Sequence, residues 1–315
     1  MCVGKTAVVA GGAGFVGSHM CDLLLANGVR VVCLDNMITG SERNVAHLAD
    51  DERFTLTRTD VIEPVAVAGD VDYVLNLASP ASPTDFDTLA IEIMRVGAWG
   101  TYHLLELARE KNAVYLQAST SEVYGDPLVM PQTEDYWGNV NPIGRRSVYD
   151  EAKRYGEALT MAYHRKYGLA VRLLRIFNTY GPRMRPDDGR AIPTFISQAL
   201  RGEDVTVHGD GSQTRSICFV ADEVDGIHRL LMSDETQPVN VGNPDTEVTM
   251  KRLAETIVQL AGSGSRIVYE PQPFEDDPKR RRPDITRARE ILGWEPQTGL
   301  DEGLGRTIEF FRGAV

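Results

Sequence analysis

Tyr149 and Lys153 have the types and spacing for proton chemistry. They lie four apart in the stretch Ser147–Tyr167, which has no proline and one glycine and is rich in Ala, Glu, Lys and Arg. Such a stretch favours helix, and the spacing puts both side chains on one helix face. A free tyrosine ionises near pH ~10 and is a poor base at neutral pH. An ammonium one turn away favours the phenolate. The pair can then take a proton from a sugar or alcohol hydroxyl. The spacing alone also suits an ordinary surface pair, and the residues that precede it decide between the two.

Thr6 to Ala10 is a short apolar run. It is followed by Gly11-Gly12-Ala13-Gly14-Phe15-Val16-Gly17, an amphipathic stretch to about Asn27, and a second apolar run, Val29 to Leu34, ending at Asp35. Strand, glycine turn, helix, strand and acid in that order form a dinucleotide cradle. The first glycines allow a tight turn, Gly14 lets backbone approach a pyrophosphate, and Gly17 lets helix pack on strand. The helix N-terminus offers free N–H groups to phosphate. Asp35 stands 18 residues past Gly17, where a carboxylate meets the adenosine ribose hydroxyls and repels a 2′-phosphate. NAD is therefore expected over NADP.

The alternation continues. Phe54 to Arg58 reads as a strand ending near Asp60-Val61, which could flank the adenine. Asp72 to Ala78 and Ala113 to Ser119 read as strands, with one helix from about Phe86 to Lys111 between them. This predicts an α/β protein with a Rossmann-type, doubly wound parallel sheet. Ligands in such sheets bind at the carboxyl ends of strands, where Asp35, Asp60, Ala78 and Ser119 fall. Apolar positions in the two long helices (Ile91, Met94, Leu104, Leu107; Leu159, Met161, Tyr163) exceed one stripe. Core packing accounts for much of this, and a homodimer through paired helices is the other expectation.

Composition narrows the class. The chain has 315 residues, 42% of them hydrophobic, and a net charge of −12. That charge argues against nucleic acid as a partner. No apolar run reaches the ~20 residues of a membrane span. A strand opening at Lys5 leaves no room for a signal peptide, so a cytoplasmic protein is expected. The four cysteines and six histidines show no CxxC, HxxxH or HExxH spacing, and no metal is expected.

After Ser119 comes Thr120-Ser121-Glu122-Val123-Tyr124-Gly125-Asp126, with two hydroxyls and a carboxylate just past a strand end. A hydrogen-bonded Ser/Thr turn is the simplest reading. With the glycine turn upstream and Tyr149-x-x-x-Lys153 downstream, a site reading prevails. Here the chain resembles the extended short-chain dehydrogenase/reductase superfamily, and within it the UDP-glucuronate decarboxylases, also called UDP-xylose synthases. The resemblance rests on GGAGFVGSH (Gly11–His19), LASPASP (Leu77–Pro83), ASTSEVYGDP (Ala118–Pro127), EDYWGNVNPIG (Glu134–Gly144), YDEAKR (Tyr149–Arg154), RIFNTYGPRM (Arg175–Met184), GSQTR (Gly211–Arg215) and DDPKRRRPDI (Asp276–Ile285). The chain departs from the usual family run at Arg95, Gly97 and His103.

The resemblance implies roles. Tyr149 would take the C4 hydroxyl proton of UDP-glucuronate, and Lys153 would hold the nicotinamide ribose and lower the Tyr149 pKa. Thr120 and Ser121 would bind near the reacting oxygens. Glu122 would steer the ring and assist proton transfer at C5, and Arg281 would lie near the substrate. It extends the NAD set to Gly11, Gly14, Phe15, Val16, Gly17, Asp35, Asn36, Thr39, Gly40, Asp60, Val61, Leu77, Ser79, Ala118, Tyr149 and Lys153. The UDP-sugar set becomes Arg95, Tyr149, Asn178, Arg183, Arg215 and Arg281. The implied chemistry has a physical logic: oxidising C4 makes a β-keto acid, whose ketone accepts the electrons that carbon dioxide leaves behind. NAD is regenerated within the cycle.

Residues 1–178 read as the NAD-binding domain. Residues 179–315 read as a smaller, interleaved substrate lobe, with parts near 215–242 returning to the main sheet. Expected elements are helices at Ile192 to Arg201 and about Asp222 to Met232, and strands at Val205 to His208, Arg215 to Val220 and Val239 to Gly242. Pro271, Pro273 and Pro278 suggest a constrained loop that could lid the site. Lys279 and Arg280 read equally as a solvated turn, whereas Arg281 reads as functional. Trp294 and the stretch Asp301 to Phe311 read as structural closure. A UDP-sugar 4-epimerase or 4,6-dehydratase shares the C4 oxidation, but Ser121-Glu122 stands where dehydratases carry Asp-Glu. A cofactor-sensing protein would commonly have lost Tyr149 or Lys153.

Overall fold

The computed structural model describes residues 4–271 and 280–315. Pro273, Pro278, Lys279 and the start of the DDPKRRRPDI block lie outside the described residues. The first half follows the alternation: β1 (Thr6–Ala10), α1 (Phe15–Ala26), β2 (Arg30–Asp35), β3 (Phe54–Arg58) and β4 (Tyr73–Asn76). Then come α2 (Asp85–Thr88), α3 (Ala90–Arg95), a π-helical turn (Val96–Gly100), α4 (Thr101–Lys111), β5 (Val114–Thr120), α5 (Ser147–Tyr167) and β6 (Val171–Ile176). The remainder holds β7 (Thr179–Tyr180), α6 (Ala191–Arg201), β8 (Val205–His208), β9 (Thr214–Ser216), β10 (Cys218–Phe219), α7 (Val220–Met232) and β11 (Pro238–Val241). It closes with β12 (Glu247–Thr249), α8 (Met250–Ala261), β13 (Ile267–Glu270), β14 (Arg280–Arg281), α9 (Thr286–Leu292) and α10 (Leu300–Arg312).

Seven parallel strands form the main sheet in the order β11-β6-β5-β4-β1-β2-β3. The apolar side chains of the inner strands β1, β4, β5 and β6 are largely buried on both faces, as a parallel sheet covered by helices requires, whereas edge strand β3 is partly exposed. One core contains the inner faces of α1, α6, α7, α8 and α10. A second lies beneath α4 and α5 and includes Leu104, Leu107 and Tyr163. Strand order reverses between β4 and β1, the crevice where such sheets bind ligands. Trp294 is buried and donates its indole N–H to the Asp222 carbonyl at 3.1 Å, which closes the C-terminal end on α7.

Two expectations need correction. The single helix over 86–111 is interrupted. Leu89 leaves helical geometry (φ −120°, ψ 25°), and the backbone widens into a π turn at Val96–Gly100. The π turn packs closely on α5, where a Cβ on Gly97 would sit 2.6 Å from the Ala152 Cβ. The stretch from Arg215 does not return to the main sheet. β9 instead lies between β12 and β14 in a small separate sheet, and only β11 joins β6 in the main one.

Candidate active site

Every site residue expected from the sequence lines one of two adjoining cavities. The larger, about 730 Å³, takes in the glycine turn, the end of β5, the first turns of α5, and Asn178, Arg183, Arg215 and Arg281. The smaller, about 130 Å³, holds Asp35, Asn36, Thr39, Gly40, Asp60, Val61, Leu77, Ser79 and Arg95. Arg95 stands on this second side, its guanidinium 5.0 Å from the Trp99 ring centroid. It is not among the residues lining the larger cavity.

The cradle suits a dinucleotide on geometric grounds. Gly11 has φ +77°, and a Cβ on Gly17 would fall 2.0 Å from the Gly11 carbonyl oxygen. No side chain caps α1, so its first N–H groups remain available to an anion. Asp35 accepts the N–H groups of Ala13 at 3.0 Å and Met37 at 2.9 Å. It shapes the turn while lining the smaller cavity, and burial raises its pKa. Asn36 donates to Asp60 at 3.0 Å. Arg183 turns toward α1 and meets Asp22 at 2.8 Å. One of its terminal nitrogens is buried without a partner among the described residues, and Arg183 lines the larger cavity.

Tyr149 and Lys153 are both buried on α5. The Tyr149 ring stacks on Phe86, with centroids 5.3 Å apart. Lys153 Nζ lies 5.6 Å from the Tyr149 ring centroid and donates to the Ala118 carbonyl at 3.0 Å. Burial lowers the Lys153 pKa to about 8. The Tyr149 pKa is pushed up by burial and then by the Glu122 charge, against a Thr120 hydrogen bond and the Arg190 charge. Burial of the phenol is the largest of these effects.

Glu122 follows β5 in a short turn whose N–H is accepted by the Thr120 hydroxyl at 3.3 Å. It is clamped by two guanidinium groups: Arg281 at 2.5 Å and Arg146 at 2.7 Å. Burial alone would raise its pKa, but Arg281, Arg146 and Arg215 overcome this and hold it below the usual carboxylate range. The three cations thus favour the carboxylate form of Glu122.

Arg281 reaches this point through a clasp. β14 pairs with β9 and sets Arg281 beside Arg215. The buried Gln132 then binds both sides of the following segment. Its carbonyl accepts from Asp284 N–H at 2.9 Å, its side-chain oxygen accepts from Arg282 N–H at 2.8 Å, and its N–H donates to the Arg282 carbonyl at 2.9 Å. Asn240 joins the same knot, donating to the carbonyls of Gln132 and Asp284 at 3.0 Å. Glu134 accepts the Asn240 N–H at 2.9 Å. Segments remote in sequence thus bind one another to hold Arg281 on Glu122.

Sequence reading missed Arg146, Phe86 and Arg190. Arg146 precedes α5, Phe86 sits in a one-turn helix, and Arg190 follows a turn where it pairs with Asp188 at 2.8 Å. None carries a local motif. Only their convergence on Tyr149 and Glu122 reveals them.

A parallel sheet with a glycine turn after β1 and Tyr-x-x-x-Lys on α5 defines an extended short-chain dehydrogenase/reductase. The chain belongs to the family described as GDP-mannose 4,6 dehydratase, matched over residues 8–307, and within it to the UDP-glucuronic acid decarboxylases. It is 49% identical to UDP-glucuronic acid decarboxylase 4 of Arabidopsis thaliana, over 98% of this chain and 69% of the relative. It is 51% identical to UDP-glucuronic acid decarboxylase 6 of the same plant, over 97% of this chain and 88% of the relative. UDP-glucuronic acid decarboxylase 1 of Xenopus tropicalis is 48% identical, over 98% of this chain and 72% of the relative. Among solved structures, the chain is similar to UDP-glucose 4-epimerase with UDP-glucose from Thermotoga maritima. The TM-score is 0.90 at 29% identity, covering 98% of this chain and 99% of that one. It is also similar to UDP-glucuronic acid 4-epimerase from Bacillus cereus in complex with UDP-glucuronic acid and NAD. Here the TM-score is 0.88 at 26% identity, covering 99% of this chain and all (100%) of that one.

Proposed function

We propose that the protein is an NAD-dependent carboxy-lyase that converts UDP-glucuronate to UDP-xylose. The observation that carries this reading is the convergence of Tyr149 and Lys153 with the Arg281–Glu122–Arg146 cluster on one cavity. The full-length resemblance to UDP-glucuronic acid decarboxylases supports it. NAD, when bound, accepts the C4 hydride and later returns it. The glycine turn with Gly11, Gly14, Phe15, Val16 and Gly17 holds its diphosphate, with Arg183 beside α1. Asp35, Asn36, Thr39, Gly40, Asp60 and Val61 bound its adenosine side, and Leu77, Ser79 and Ala118 the rest of its wall.

Tyr149 accepts the C4 hydroxyl proton, and the Lys153 ammonium favours the resulting phenolate. Thr120 and Ser121 orient the sugar oxygens. Arg281, with Arg215 beside it, gives the sugar's carboxylate and the diphosphate a cationic wall. Asn178 borders the same space. The new ketone takes up the electrons as carbon dioxide leaves, and C5 then takes a proton from a solvent water beside Glu122. In its arginine-paired state Glu122 orients and balances charge and does not supply that proton.

Residues 1–178 form the cofactor domain in this reading, and residues 179–315 the UDP-sugar lobe. No described helix is long and apolar enough to cross a membrane, and we place the protein in the cytoplasm. Ile91, Met94, Trp99, Tyr102 and Tyr155 are exposed on α3, the π turn, α4 and α5, a face suited to a second copy in a homodimer. Incubation with UDP-glucuronate, following carbon dioxide and the nucleotide-sugar product, tests the activity. A product that keeps its carboxyl group overturns it and favours a 4-epimerase.

A further inference from the structure

Beyond its place in the cluster on Glu122, Arg146 touches the reacting centre in three ways. Its carbonyl accepts the Tyr149 N–H at 3.0 Å and the Asp150 N–H at 3.1 Å, so it fixes the first turn of α5. Its guanidinium donates to Glu122 at 2.7 Å. The same guanidinium lies 5.7 Å from the Phe86 ring centroid, and the other partner of that ring is Tyr149, stacked at 5.3 Å. The Arg146 side chain is only 6% exposed. A charge so far from water is costly unless neighbours hold it, and Glu122 and Phe86, two that do, are parts of the site.

We infer that Arg146 is a positioning residue that ties Glu122 to Tyr149, holding the carboxylate on one side of the sugar space and seating the phenol on the other. This deepens the decarboxylation reading and rests on it. The two contacts have separable consequences. Toward Glu122, Arg146 supplies charge: the groups facing that carboxylate are Arg281 from β14, Arg215 from β9, Tyr149 from α5 and Arg146 itself. Removing one cation from a buried carboxylate raises its pKa. Toward Tyr149, Arg146 supplies a flat cationic plane that presses Phe86 against the phenol ring, a contact of the cation–π kind.

The test uses the full chain loaded with NAD and compares the wild type with Arg146→Met, Arg146→Lys and Phe86→Leu, each checked for folding by thermal melting. Wild-type release of carbon dioxide from UDP-glucuronate is the control, and its absence counts against the activity, not against Arg146. Arg146→Met is expected to lower kcat about 10- to 100-fold, with NAD affinity unchanged. It is also expected to move the acid limb of the pH–kcat profile up by about one pH unit. Arg146→Lys is expected to return the limb to its wild-type position and recover at least about tenfold in kcat over Met. Phe86→Leu is expected to lower kcat about tenfold with the limb unmoved. An unmoved limb in Arg146→Met, or a loss that lysine does not recover, overturns the inference. Should the methionine variant fail to fold, a limb displaced in Arg146→Lys or an undiminished kcat in Phe86→Leu overturns it instead.

Discussion

Lys153 donates its ammonium proton to the Ala118 carbonyl at 3.0 Å, and so stands at the end of β5 and not on the Tyr149 oxygen. The lysine is thereby anchored to the sheet, and its charge serves the phenol through space.

This burial has a signed consequence. The folded Lys153 pKa of about 8 lies below its ordinary value of 10.5. Between those values the unfolded chain holds a proton that the folded chain has lost, so this group makes stability rise with pH across that window. At neutral pH the buried charge costs on the order of 3 kcal/mol. Comparing wild type and Lys153→Met without ligands, the stability difference should move in favour of the wild type between about pH 8 and pH 10. A pH-independent difference in denaturant midpoints would contradict this. Turnover of the methionine variant should fall about 10²- to 10⁴-fold.

Tyr149→Phe should abolish turnover almost completely, by about 10³-fold or more, while NAD binds as before. Binding followed by cofactor fluorescence and carbon dioxide release separate the two effects. Because the stacked ring is retained against Phe86, the melting temperature should change little.

Gly17→Ala should remove cofactor binding, since the added methyl would fall 2.0 Å from the Gly11 carbonyl oxygen. The turn must open, and the phosphate-facing N–H groups move with it. NAD affinity should drop at least about tenfold, measured by titration, with UDP affinity much less affected.

Gly97→Ala should destabilise the protein by about 1–3 kcal/mol through overpacking, because its Cβ would press on Ala152 at 2.6 Å. Ala152→Gly should relieve this when combined with it. Melting temperatures of the two single variants and the double variant form the test. Additive losses would show that the two positions do not share this contact.

The sequence was most legible where one local pattern controls the outcome. The glycine turn, the helix 147–167 and the strand 205–208 follow from neighbouring residues alone. The π turn within 86–111 was illegible because the residue it packs against, Ala152, lies in α5. The carboxylate at Glu122 could be found from its place after β5, but its ionisation could not. That depends on Arg146 and Arg281, the latter 159 positions away. Arg183 was recognised as a site residue, yet its side of the cavity is decided by Asp22 in α1.

The clasp at Gln132 also orders events in time. The glycine turn, β1 to β5 and the Tyr149 helix all leave the ribosome before Arg281 does. The core beneath the cofactor helix α1 is filled by α6, α7, α8 and α10, which all follow the Tyr149 helix, and Glu122 meets Arg281 only once the C-terminal segment docks on Gln132 and Asn240. A prematurely terminated product would therefore lack both the packing under its cradle and the cation on Glu122.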